Sequence, residues 1–248
     1  MIRLLGAALV LLLLPNLPAN ADEPDWGPYA AILSQYVHQG SKLGIALHAV
    51  DYRGIRQDDE WSKVLASVAD FDLSRLHERE ERLAFWINAY NILAINMVLE
   101  HWPLHDIRDA GMLFWPVWHR SAGRIGGKMR TLHEIEHRIL RPMGDPRIHM
   151  AIVCASVSCP DLRIRPYRAA FIEQHLDEQA ALFMANSGKG VRIADGGIYI
   201  SEIFDWFEAD FDGPEGVKRF IRLYREDMGA GISVAGHLPY HWQLNGYP

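Results

Sequence analysis

The chain has 248 residues, 49% of them hydrophobic and 23% charged, with 25 Lys and Arg against 31 Asp and Glu. That balance excludes a disordered polyelectrolyte, and a formal net charge of -6 without any basic block argues against nucleic acid as a partner. The two cysteines, Cys154 and Cys159, are too close in sequence to staple a domain of this size, so the pair reads as a local feature.

The first element in chain order is a secretory leader. Arg3 supplies a positive start, residues 4–14 form an apolar run too short to span a bilayer comfortably, Pro15 and Pro18 interrupt it, and Ala19-Asn20-Ala21 is a small-x-small cleavage site. Cleavage is expected after Ala21. No cysteine follows the run to take a lipid. Residues 22–248 are expected to be a single globular domain, periplasmic or secreted, and not membrane-embedded after cleavage.

Residues 28–38 read as a helix and residues 43–52 as extended or irregular chain. Trp61, Val64, Leu65 and Val68 recur at three- and four-residue spacing, which predicts a helix over 58–69. Ser74 is the expected N-cap of a long helix running to about Glu100, and residues 83–99 are apolar on nearly every face, so this helix should be buried all round. Segments 114–119 and 124–130 predict a β-hairpin, and Thr131 with Glu134 predicts a capped helix reaching Arg141. Residues 147–154 are continuously apolar and β-branched, as in a buried strand, followed by a loop over 156–166. An amphipathic helix over 167–186, a hairpin turning at Asp195-Gly196-Gly197 and a last helix over 214–228 complete the chain. The fold class is α+β: a helix-rich single domain with a central buried helix and a small, mostly antiparallel sheet.

Four groups of residues carry chemistry. Asn88 and Asn91 lie one turn apart in the buried helix and share a face, either lining a pocket or bonding neighbouring backbone; the second reading is the more ordinary. His133-Glu134-Ile135-Glu136-His137 matches H-E-x-x-H, but His133 falls in the first turn after its cap, and a third zinc ligand must come from elsewhere, His149 and Glu173 being the nominal choices. A capped, charged helix is the better account of that segment, with Glu136 and His137 its more interesting pair. Cys154 ends the expected strand beside Ser156 and Ser158, where loop N–H groups would suit an oxyanion. Strand alternation puts His149 on the opposite face from Cys154 and leaves His137 as the better base. Free thiols and a Cys154–Cys159 disulfide are equally open on the residues alone. Finally, the polar and aromatic segment 237–245 is placed either over a site or simply against the domain surface.

Several of these segments carry a family likeness. Val50-Asp51-Tyr52, Arg82-Leu-Ala-Phe-Trp-Ile-Asn-Ala-Tyr-Asn91, the run Ile135 to Arg141, Asp145-Pro-Arg-Ile-His149, Cys154-Ala-Ser-Val-Ser-Cys-Pro160, Leu176-Asp177-Glu178-Gln179, Ser201 to Trp206 and Tyr240 to Asn245 together resemble the domain-of-unknown-function family 547. The likeness spans nearly all of residues 22–248. The resemblance implies that Asn88, Asn91, Glu136, His137, Cys154, Ser156 and Cys159 serve a common fold or a common site. The family pattern does not require His at position 133, which weakens the zinc reading further, and the resemblance implies no reaction.

The leading expectation is an exported thiol-dependent enzyme acting by acyl transfer or hydrolysis, or by thiol–disulfide exchange. Cys154 would be the nucleophile or redox thiol, His137 its base, Glu136 the orienting group and Cys159 the resolving thiol, with Asn88, Asn91, Ser156 and His149 as binding groups. No cofactor is expected, and the partner is an unidentified small molecule or protein. The alternatives are a non-catalytic binding or assembly module and, further off, a zinc hydrolase using His133, Glu134 and His137.

Overall fold

The computed structural model describes residues 23–111, 117–194, 196–229 and 231–247. The expected leader and its cleavage site, Phe114 at the start of one predicted strand, and Asp195 of the predicted turn lie outside the described residues.

Pro28 at the second helical position starts α1 (Gly27–Tyr36), which leads directly into the hairpin β1 (Val37–Lys42) and β2 (Ile45–Val50), paired antiparallel from Val37↔Val50 to Lys42↔Ile45. α2 (Tyr52–Gln57) starts where Asp51 accepts the Gly54 N–H, and α3 (Glu60–Ala69) buries Trp61, Val64 and Val68, the positions its periodicity marked.

The central helix is α4 (Arg79–Glu100), and every residue from Leu83 to Leu99 is buried. By length and composition α4 would pass for a membrane span, yet here its apolar stretch is packed inside the fold. Its start differs from the expectation. Ser74 sits in a separate 3-10 turn, Leu73–Arg75, bonded to Asp72, and the helix begins after Glu78, where the Glu81 carboxylate accepts the Glu78 N–H at 3.0 Å. Asp72 outcompetes the helix for Ser74, because a short carboxylate two residues away holds both its N–H and its hydroxyl.

β3 (Ser121–Ile125) and β4 (Lys128–Thr131) form the second hairpin, and Ile125 packs into the main core. Thr131 caps as expected, accepting the Glu134 N–H at 3.0 Å over one helical turn, α5 (Leu132–Glu134). Beyond it the chain becomes a π-helix, Ile135–Leu140, with the Arg141 N–H reaching the Glu136 carbonyl. Residues 147–154 are not a strand. Asp145 caps and Pro146 opens a 3-10 helix, Pro146–Met150, and the chain then turns through 151–155. An unbroken apolar run marks burial and does not distinguish a buried strand from buried turns.

The remainder is α6 (Ile172–Ala185), the antiparallel pair β5 (Val191–Ala194) and β6 (Gly197–Ile200), α7 (Ile203–Trp206), α8 (Gly213–Tyr224) and β7 (Val234–His237), which pairs parallel with β6. The fold is thus helix-rich α+β, with three small sheets among the described residues in place of the one expected. One large apolar cluster surrounds α4; a second joins α6, α7, α8 and β5–β6 through Phe183, Phe204, Phe211 and Phe220.

Candidate functional site

A cleft of about 360 Å³ is lined from both sides: Tyr90 and Ile152 belong to the α4 core region, Ile203 and Phe207 to the second cluster. Glu136, His137, His149, Cys154 and Cys159 also line it, so five residues scattered over the sequence meet in one place. The cysteines are joined as a disulfide. Among the described residues neither thiol is free. Cys159 is 3% exposed, whereas Cys154 is only partly buried.

The loop closed by this bridge is shaped by its own backbone. Ala155 adopts a positive φ of 62°, a left-handed turn that costs a residue with a Cβ about 1 kcal/mol. Behind it, the Cys154 N–H donates to Cys159 Sγ at 2.9 Å. The hydroxyls of Ser156 and Tyr240 lie 3.2 and 3.3 Å from Cys154 Sγ, and that of Tyr240 lies 3.4 Å from Cys159 Sγ. Both sulfurs therefore face hydroxyl or N–H donors. The segment carrying Tyr240 is strapped over the loop: the Val157 N–H donates to the Gln243 carbonyl, Ser158 to His241, and Asn245 returns to Ala155. Segment 237–245 thus packs over the disulfide loop and places Tyr240 and Trp242 on the cleft.

The π-helix sets the acid–base groups. Glu136 lies 3.4 Å from the Tyr90 hydroxyl, and burial pushes its carboxyl up to about 7, against the opposing pull of Tyr90 and Arg141. His137 is driven down to about 4 by burial, with His133 and Arg141 adding to it. The always-charged Arg141 Nη1 sits 2.7 Å from His137 Nδ1, so that nitrogen accepts and the ring is neutral. Asp210 receives two bonds from Arg141, at 2.6 and 2.8 Å, and lies 2.7 Å from His149 Nε2. These contacts, His149 first, hold Asp210 well below the usual carboxylate range, while burial lowers His149, which stays neutral and donates. At neutral pH the cleft holds one carboxyl poised to titrate and two neutral imidazoles, with the Asp210 carboxylate fixed behind His149 on the lining of a neighbouring pocket. Single π turns within helices recur at functional sites, because the wider turn re-aims side chains.

His149 corrects the strand argument. With no strand at 147–154, alternation does not apply, and His149 and Cys154 line the same cleft. Ser156 is fully buried beneath the disulfide. Asn88 and Asn91 take the backbone-bonding alternative: Asn91 receives the Val153 N–H at 2.9 Å and donates to the Ala151 carbonyl at 3.0 Å, and Asn88 does the same with Tyr167 at 2.9 and 2.8 Å. His133 stacks between His119 and His137, at 4.1 and 4.3 Å between ring centroids, Glu134 pairs with Arg130, and Glu173 is held by Arg147. No group of three or more metal-type side chains among the described residues is arranged to hold an ion. Tyr90 and the aromatic wall of Trp118, Trp206 and Trp242 line the cleft and were not singled out from sequence, nor were Arg141 and Asp210, which bond His137 and His149 from beside it. Trp206 and Trp242 fall in segments quoted for the family likeness, but Asp210 offers no local signal.

A helix-rich α+β domain with a disulfide and a buried acid on one aromatic cleft is thus the class that fold and site define. Residues 73–184, a little under half of the chain, match the family described as "Protein of unknown function, DUF547". The matched stretch runs from before α4 to the end of α6 and holds all five of the predicted residues that line the cleft; Trp206, Asp210 and Tyr240 lie beyond it. It is also narrower than the likeness read from sequence. No curated protein and no solved structure matches the chain.

Proposed function

We propose that the protein is an exported enzyme of thiol–disulfide exchange, oxidising a dithiol with its Cys154–Cys159 bridge. The observation that carries this reading is that the bridge opens onto the cleft through Cys154, while the buried Cys159 Sγ already receives an N–H. An incoming thiol gives its proton to Glu136, whose carboxyl titrates near neutrality on the same cleft. The thiolate attacks Cys154 Sγ, a new S–S bond forms, and the old one breaks with its electron pair on Cys159 Sγ. The Cys154 N–H and the Tyr240 hydroxyl stabilise that thiolate. The substrate's second thiol then attacks its own mixed-disulfide sulfur, and Cys154 leaves. Cys154 Sγ takes the second thiol's proton as it leaves and Glu136 gives the first proton back to the reduced pair, so two electrons and two protons pass from the dithiol to the cysteines. Acyl transfer through Cys154 would require the bridge to be reduced first. The leader read from residues 1–21 supports export to an oxidising compartment, where such a bridge persists.

The test is incubation of oxidised protein with a reduced dithiol peptide, reading peptide disulfide by mass. Stoichiometric oxidation that disappears in the Cys154→Ser/Cys159→Ser variant supports exchange. A bridge that reacts only after denaturation, or a double variant that oxidises as well as the native chain, overturns it. A binding module is favoured by one separate observation: Trp206 and Trp242 stack at 5.5 Å and 17°, a flat wall for an apolar partner.

A further inference from the structure

The cleft that holds the disulfide also holds two histidines whose protons are fixed from outside it. Arg141 Nη1 lies 2.7 Å from His137 Nδ1, Arg141 bonds Asp210 at 2.6 and 2.8 Å, and Asp210 lies 2.7 Å from His149 Nε2. The histidines line the cleft, whereas Arg141 and Asp210 line a neighbouring pocket. Both rings are neutral at neutral pH, each lowered chiefly by burial. A neutral imidazole has one N–H and one bare nitrogen, and the partner of either fixes the other. A guanidinium only donates, so His137 Nδ1 is bare and its proton sits on Nε2. An ionised carboxylate only accepts, so the His149 proton sits on Nε2 and its Nδ1 is bare. One Arg–Asp pair thus leaves the cleft a donor, His137 Nε2–H, and an acceptor, His149 Nδ1.

Neither atom has a hydrogen-bond partner among the described residues. The His149 side chain is only 1% exposed, yet its Nδ1 is not one of the sealed, unpaired side-chain atoms, which belong to Trp26, Arg130 and Tyr167 among the described residues. That nitrogen therefore keeps a small open surface, and the cleft is where its ring borders open space. An almost buried polar atom left unpaired points to a ligand that completes it. Phe207 stacks on His149 at 4.0 Å and lies 6.1 Å from the His137 ring, so both rings sit beside one side chain. Trp206 and Trp242, 5.5 Å apart and 17° from parallel, add an apolar wall to the same cleft.

We infer that the two histidines read the backbone of an extended peptide, His137 donating to a carbonyl and His149 accepting an N–H, with an aromatic side chain on the Trp206–Trp242 wall. One residue of an extended chain turns its own N–H and C=O to the same side, which complements this pair. A carboxylate only accepts and an ammonium only donates, so neither satisfies both rings. Peptide binding stands apart from the bridge; that the bound chain carries the dithiol rests on the exchange proposed above.

The experiment uses the oxidised full chain with 15N-labelled histidines, and probes without thiols. Nitrogen spectra of the free protein should show Nδ1 bare and Nε2 protonated at both His137 and His149, assigned with His137→Phe and His149→Phe. The probes are acetyl-Ala-Phe-Ala-amide and the same molecule with phenyllactate for phenylalanine, in which an ester oxygen replaces the Phe N–H. Expected is a saturable shift of both rings with the peptide, and binding of the ester weaker by about tenfold. In His149→Phe, which keeps a ring against Phe207 and loses the acceptor, the peptide should bind as weakly as the ester. The comparison of the two probes on the native chain stands even where that variant fails to fold. A protonated His149 Nδ1, no saturable shift at millimolar peptide, or equal affinity for peptide and ester would each overturn the inference. The outcome is separable from that of the exchange assay. Dithiol oxidation without preference for peptide over ester would leave exchange standing and remove this recognition. Preference without oxidation would leave a peptide-binding cleft that does not exchange.

Discussion

Glu136 is the residue whose chemistry departs furthest from its ordinary range in a direction that neutral pH can reveal. Its carboxyl is raised to about 7 chiefly by burial, so the folded chain holds a proton there that the unfolded chain has already released above about pH 4.5. At this group the folded state therefore binds more protons across that window, and its contribution to stability is lost as pH rises from about 4.5 through 7. The full effect is at most about 3 kcal/mol. Glu136→Gln removes the titrating group while keeping an acceptor for Tyr90. His137 and His175, both driven down to about 4, gain stability over the same window, so the Glu136 contribution is read as a difference: in urea denaturation at pH 5 and pH 8, the Gln variant should change in stability by about 2–3 kcal/mol more favourably than the native protein as pH rises. Equal changes in both would mean that the carboxyl is solvated in the folded state. In thiol–disulfide exchange the same variant should lose the dependence of rate on a group titrating near pH 7.

At the scale of elements, the segment 237–245 and the disulfide loop hold one another. The strap is bonded to Ala155, Val157 and Ser158 through main-chain groups, and Lys42 holds its far end through the Leu244 and Gly246 carbonyls at 2.7 and 2.9 Å. Opening the bridge releases the six-residue loop from one constraint, and the strap loses its rigid partner. Hydrogen exchange should therefore show faster exchange at Val157, Ser158 and Asn245 after reduction, with the amides of α4 unchanged. Protection that stays the same would show that the strap stands on its own contacts. This is also the scale at which sequence reading succeeds and fails. The burial of α4, the periodicity of α3 and the Thr131 cap were legible because each depends on side chains close in sequence. The π-helix was not, since nothing local distinguishes its wider turn from an α-helix over 132–141. The 3-10 helix at Pro146 was announced by Asp145-Pro146 but hidden by the apolar run that follows. The site was half legible: Glu136, His137, Cys154 and Cys159 stand out by residue type, while Asp210 is brought against His149 only by the packing of the second cluster.

For the whole molecule, the question is what fixes a cleft made partly of turns between two apolar clusters. α4 does this with Asn88 and Asn91. Each side-chain amide takes one N–H and gives one to a carbonyl, as a neighbouring β-strand would, for chain that has no strand partner. Asn91 grips Ala151 and Val153, immediately before Cys154; Asn88 grips Tyr167, which lies past the bridge and ahead of α6. Asn91→Ala leaves a buried N–H and a buried carbonyl without partners and should cost about 3 kcal/mol in urea denaturation. Asn88→Ala should cost about as much, since it abandons the same two kinds of group. The two variants should differ in the rate at which the folded protein's bridge is reduced by dithiothreitol. Losing the Asn91 grip frees the chain next to Cys154 and should accelerate reduction, whereas losing the Asn88 grip should leave the rate near that of the native protein. Equal rates would mean that the bridge opens by global unfolding alone. A faster rate in Asn91→Ala only would show that the central helix sets the reactivity of the cleft, with a structural residue acting on the site through one turn of backbone.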